Sequence, residues 1–168
     1  LIELAAAAKK YNLLVLSDEI YNDLTFCNKY ESISKFYPEG TFISGGLSKW
    51  CGAGGWRVGF FAVPKKLSNF LETIVTLASE SYSTVNTPAQ YAAVQAYEGD
   101  FTEYKRKTLN ILRSVGNYVY SNLKSNKVLI NQPQGAFYLM PEFLNKKFKN
   151  STHLCETVLE ETGVSMLP

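Results

Sequence analysis

The chain has 168 residues, 46% of them hydrophobic and 19% charged, which is enough for one ordinary domain with a real core and excludes a disordered chain. Its 17 basic and 15 acidic residues leave a net charge of +2, too balanced to argue for nucleic acid or an anionic membrane, and no apolar run is long enough to span a bilayer. His153 is the only histidine, so zinc sites and Ser-His-Asp or Cys-His catalysis lack their usual partners.

Leu1 to Tyr11 reads as a helix, with Lys9 and Lys10 in its last turn and Asn12 as the stop. Leu13-Leu14-Val15-Leu16 is a short continuous apolar run, the pattern of a strand buried on both faces. Ser17-Asp18-Glu19-Ile20-Tyr21 follows its carboxyl end, where ligand-binding groups gather in open α/β sheets. Thr25 to Gly40 is irregular, Thr41 to Ser44 a second strand, and Trp56 to Val63 a third. Pro64 is expected to open a helix striped by Leu67, Phe70, Leu71, Ile74, Val75, Leu77 and Ala78.

Ser79 to Asn86 is a polar loop, and Thr87-Pro88-Ala89-Gln90 has the form of a capping box on a helix that Gly99 stops. Asp100 to Glu103 starts a long amphipathic helix running to about Lys124. Beyond it the pattern changes to α+β, with strands at Val128–Ile130, Gly135–Met140 and Val164–Leu167 and a helix over Ser151–Thr162, so a subdomain change is expected around residues 115 to 127. Residue 1 is not methionine, and the chain opens inside a helix and stops at Met166-Leu167-Pro168 with no closing element; an internal piece of a longer protein is expected. Cys27, Cys51 and Cys155 are odd in number and form no Cys-x-x-Cys pair, which points to a reducing, cytoplasmic compartment.

The chemistry concentrates between Gly46 and Gly59. Lys49 sits among small and apolar neighbours, as an amine nucleophile held in a tight pocket would, and Arg57 follows eight residues later, where a guanidinium can hold a phosphate. Together they point to a phosphorylated carbonyl cofactor bound covalently through Lys49. The glycines between them do not form Gly-x-Gly-x-x-Gly opening a helix, so they shape a turn rather than a dinucleotide site.

Ser-Asp-Glu-Ile-Tyr at 17–21 and Leu-Ser-Lys-x7-Trp-Arg-Val-Gly at 47–59, with Thr-Pro-Ala-Gln at 87–90 and Pro-Gln-Gly-Ala-Phe-Tyr at 133–138, resemble the pyridoxal-phosphate (PLP) aminotransferases of classes I and II, of fold type I. The resemblance covers essentially the whole chain. It implies an α/β fold: part of the three-layer large domain with its mixed, mostly parallel sheet over 1–120, and part of the α+β small domain over 121–168.

By the resemblance, Lys49 holds PLP covalently and then moves the α-proton; its alternative is a solvated surface lysine. Asp18 pairs with the ring nitrogen and Tyr21 with the ring 3′-oxygen, against a turn aspartate and a packed core tyrosine. Arg57 binds the phosphate, against a salt-bridged strand arginine; its neighbours Trp56 and Val58 argue for burial, which requires a partner anion. Ser48 is a further phosphate donor. Many members carry a serine three residues before the lysine; this chain has Gly46, so Ser44, Ser48 or a backbone N–H compensates.

Glu19 and Ile20 are read as structural, and Phe137 and Tyr138 as core residues in preference to substrate-facing ones. Residues 81–86 match a loop that in many members approaches the partner subunit's cofactor, which implies a homodimer. The activity implied is transfer of an amino group between an amino acid and a 2-oxo acid. Its alternatives are a same-fold C–S lyase or aminocyclopropane-carboxylate-type synthase, or a non-catalytic PLP-sensing regulatory domain.

Overall fold

The computed structural model describes residues 1–26, 30–144 and 147–168; Cys27 lies outside them. The chain forms two compact units, Leu1–Arg113 with Gln134–Ala136, and Ser114–Pro133 with Phe137–Pro168. Among the described residues no helix is long and apolar enough to cross a membrane.

In the first unit, helix α1 spans Ile2–Lys10 with Glu3 in its first turn and Lys9 and Lys10 in its last, each charge opposing the helix dipole. Asn12 is left-handed at φ 50°, and the Leu13 N–H turns back to the Ala8 carbonyl at 2.9 Å. This cap keeps Leu13 and Leu14 out of the sheet. Strand β1 therefore spans Val15–Asp18, two residues later than the apolar run implies, and its first rung is the Val15 N–H on the Gly40 carbonyl at 2.8 Å. Burial on both faces is not found: Val15 packs on the small core of Ala5, Ala8, Ile33 and Tyr37, while Leu16 is 66% exposed.

Strand β2 (Thr41–Gly46) lies at the centre of a three-stranded sheet, parallel to β1 and antiparallel to β3 (Gly59–Ala62). Trp56–Val58 does not begin the third strand. Gly54–Trp56 is a 3₁₀ turn and Arg57 is left-handed at φ 56°, so pairing starts only where Gly59 meets Gly46.

Helix α2 spans Ser68–Ser81. Pro64 does not open it: its ψ of 136° is extended, and a 3₁₀ turn over Lys65–Leu67 intervenes. The expected apolar stripe divides. Leu67, Ile74 and Ala78 are half-buried, while Leu71, Val75 and Leu77 are exposed; Phe70 meets Phe42 edge-on with ring centroids 5.4 Å apart. Helix α3 (Thr87–Glu98) is capped one residue earlier than the capping-box pattern implies. Asn86 Oδ1 accepts from the Ala89 N–H at 2.9 Å, and Gln90 instead reaches back to the Val85 carbonyl at 2.6 Å. Helix α4 spans Thr102–Leu123.

In the second unit, β4 (Val128–Leu129) and β5 (Glu142–Phe143) pair antiparallel, and helix α5 (Ser151–Thr162) runs from its Asn150 cap to a left-handed Gly163. Neither Gly135–Met140 nor Val164–Leu167 is a strand among the described residues. The first run is diverted at Gln134–Ala136: the Phe26 N–H donates to the Gln134 carbonyl at 2.8 Å and the Ala136 N–H to the Leu24 carbonyl at 2.7 Å. A Cβ at Gly135 would lie 2.7 Å from the Leu24 carbonyl oxygen, so only glycine allows that approach. Phe137 and Tyr138 are not core residues; both are exposed, with their rings 4.8 Å apart.

Candidate active site

The parallel pairing of β1 and β2 sets Asp18 opposite Ser44, so two strand ends and the loops leaving them lie side by side. Past Asp18 the chain turns, with the Asn22 N–H on the Glu19 carbonyl at 3.0 Å, and this turn presents Tyr21. Asp18 Oδ1 accepts from the Ile20 N–H at 3.3 Å.

Past β2, Leu47 and Trp50 are each 3% exposed and share a core with Leu24. Burying a leucine side chain of this kind contributes about 1.5–3 kcal/mol. These two anchors turn the intervening Ser48 and Lys49 toward the strand ends, and Lys49 Nζ stands 5.6 Å from the Tyr21 ring centroid. Leu47 also clasps the loop. Its N–H donates to the Val58 carbonyl at 3.3 Å, and its carbonyl accepts from the Ala53 N–H at 3.3 Å and from Cys51 Sγ at 3.0 Å. The clasp returns Arg57 to the neighbourhood of Lys49.

Asp18, Tyr21, Ser44, Ser48, Lys49 and Arg57 thus line one cleft of about 570 Å³. Arg57 departs from its expected setting. It and Trp56 are exposed rather than buried, and the backbone at 57 is left-handed. No carboxylate pairs with it among the described residues; Nη1 donates to the Gly54 carbonyl at 2.7 Å. Five N–H donors on a guanidinium leave others for an anion in the cleft.

Gly46 has a structural reason. A Cβ there would lie 2.8 Å from the Val58 carbonyl oxygen and 3.0 Å from the Gly59 Cα, so β3 already occupies the space of a side chain. The serines that line the cleft are Ser44 and Ser48. Ser44 carries a signal in the sequence, two residues before Gly46 on the same face of β2. Glu19 is also more engaged than a plain structural residue. Buried at 8% exposure, it accepts from Ser17 Oγ at 3.1 Å and from Ser32 Oγ. Burial, followed by the Glu19 charge, pushes the Tyr30 pKa up. No local pattern links residues so far apart.

A lysine amine, a carboxylate, a tyrosine, a guanidinium and two serines in one cleft match the groups of PLP: a carbonyl carbon, a basic ring nitrogen, a ring oxygen and a phosphate. The donor set fits.

The chain is 32% identical over 173 residues to the probable N-acetyl-LL-diaminopimelate aminotransferase of Bacillus subtilis, covering 98% of this chain and 41% of that protein. It is 34% identical over 168 residues to the aspartate aminotransferase of Thermotoga maritima, again covering 98% of this chain and 41% of the relative. Among solved structures, the alanine aminotransferase of Pyrococcus furiosus superposes with a TM-score of 0.84 at 32% identity, over 94% of this chain and 41% of that one. The chain therefore spans about two fifths of the length of these relatives. The sequence profile described as aminotransferase class I and II matches residues 1–168 from end to end, and the chain belongs to that family.

Proposed function

We propose that the whole protein transfers an amino group between an amino acid and a 2-oxo acid with PLP as cofactor. The observation that carries this reading is the shared cleft of Lys49, Asp18, Tyr21, Ser48 and Arg57 at the end of a parallel strand pair. When bound, PLP supplies an electron sink for the substrate's α-carbon.

The chain's own residues divide the remaining work. Lys49 Nζ is the amine that anchors the cofactor and the base that carries the α-proton. The Asp18 carboxylate holds the proton on the ring nitrogen, and the Tyr21 hydroxyl donates to the ring oxygen. Arg57 and Ser48 hold the phosphate. The guanidinium is pre-aimed by its bond to the Gly54 carbonyl, so little side-chain freedom is lost on binding.

Aspartate and alanine, which name two of the relatives, are the first donors to assay. Residues 1–120 are read as part of the PLP-binding large domain and 121–168 as part of the small domain, in keeping with two compact units. The protein is read as cytoplasmic and as a homodimer. An exposed groove of about 680 Å³ lined by Val75, Ala78, Val94 and Tyr97 offers the dimer an apolar surface.

The test is borohydride reduction of the full-length gene product loaded with PLP, followed by peptide mass mapping. A pyridoxyl group on Lys49 is expected. Folded protein without that adduct refutes the reading.

A further inference from the structure

We infer that Glu19 is a positioning residue, whose anchored carboxylate and backbone fix the turn that aims Asp18 and Tyr21 into the cleft. The inference rests on the cofactor reading above. Glu19 lies between two cleft residues in sequence, yet its own side chain turns the other way and is 8% exposed.

Each of its polar groups is used. The N–H donates to the Ser44 carbonyl at 2.8 Å, extending the β1–β2 ladder one residue past Asp18. The carbonyl accepts from the Asn22 N–H at 3.0 Å and closes the turn over Ile20 and Tyr21. Oε1 accepts from Ser17 Oγ at 3.1 Å and from Ser32 Oγ. Among the described residues hydroxyls, and no cation, offset the cost of this burial.

Asp18 Oδ1, by contrast, accepts from the Ile20 N–H at 3.3 Å. This bond couples its aim to the backbone of residues 19 and 20, which Glu19 ties to β2 and, through Ser32, to the 3₁₀ turn Ile33–Lys35. A residue that only stabilised the fold would change the melting temperature and leave the bound cofactor's geometry alone.

The test compares wild type with Glu19→Gln and Ser32→Ala in the full-length protein. Five quantities are read: PLP affinity by absorbance titration, the induced circular dichroism of bound PLP, kcat, the donor KM and the melting temperature. Glu19→Gln is expected to lower kcat by about 10–100-fold with KM little changed, to weaken PLP binding, and to alter the induced dichroism. Ser32→Ala is expected to do the same to a smaller degree, and it decides the matter should Glu19→Gln fail to fold. Unchanged kcat and dichroism in folded variants, with only the melting temperature lowered, overturn the inference while leaving the cofactor reading intact. Absence of a pyridoxyl adduct on Lys49 in wild type removes the cofactor reading itself.

Discussion

Replacing Gly46 by serine restores the hydroxyl that many members of the family carry three residues before the lysine, but puts it where the backbone of β3 already lies. The added Cβ meets the Val58 carbonyl oxygen at 2.8 Å and the Gly59 Cα at 3.0 Å. Both obstructions are main-chain atoms and cannot rotate away. Relief requires β3 to move from β2, which strains the Gly46–Gly59 end of the ladder and the Leu47–Val58 hydrogen bond. Overpacking of this kind costs about 1–3 kcal/mol, and weakening one backbone hydrogen bond adds about 1 kcal/mol. Gly46→Ser is therefore expected to destabilise the protein by about 2–4 kcal/mol. The same shift displaces Arg57, so PLP affinity falls although a phosphate donor has been added. The assay is urea unfolding of the full-length protein, read as a lower midpoint at constant slope, together with PLP titration. A variant as stable as wild type that binds PLP more tightly refutes the reasoning, because β3 would then yield at no cost.

Lys49→Ala is expected to abolish amino transfer while leaving the far-ultraviolet circular dichroism unchanged; near-normal turnover removes Lys49 from the mechanism. Arg57→Gly relieves a left-handed residue and is expected to raise stability by about 1 kcal/mol, while weakening PLP binding at least tenfold. Loss of stability in the unfolding curve would show that the Gly54 bond outweighs the strain. Lys105→Ala removes both the 3.0 Å ion pair with Asp23 and the ammonium 4.4 Å from the Trp50 ring centroid. The expected loss is about 1–2 kcal/mol in the same unfolding assay, and no change would show that solvent screens the pair. Asp100 caps α4, and its pKa is lowered chiefly by the Thr102 N–H. Its contribution is present above the ordinary carboxylate range and disappears as pH falls through the depressed folded-state value. Asp100→Asn keeps the cap at every pH, so unfolding midpoints should diverge from wild type only in acid; parallel curves there would refute the assignment.

The glycine at position 46 also marks where reading the sequence stops. The candidate site residues were legible because their types and spacing are local: a carboxylate and a tyrosine after an apolar run, then a lysine and an arginine within one loop. Residue order alone does not say that Asp18 and Lys49 share a cleft. That follows from the parallel register of β1 on β2. The helices were legible for the same local reason. The Gly99 stop of α3, the Asp100 start of α4 and the whole of α5 act within a turn of the helix they bound. Boundaries failed where a neighbouring segment decided them. β1 starts late because α1's cap holds Leu13, and β3 starts late because Arg57 is left-handed. Gly135–Met140 is no strand because its first residues bond to Leu24 and Phe26.

The sequence by itself determined the family, the helices and the set of candidate site side chains, since these depend on residue type and on spacing within a few turns. Only the tertiary structure decided that no side chain fits at Gly46, that Arg57 stands exposed and aimed by Gly54, and that Glu19 is locked by Ser32. Each of these depends on two backbones approaching across a ladder or a loop, a distance set by register and packing rather than by neighbours in the chain.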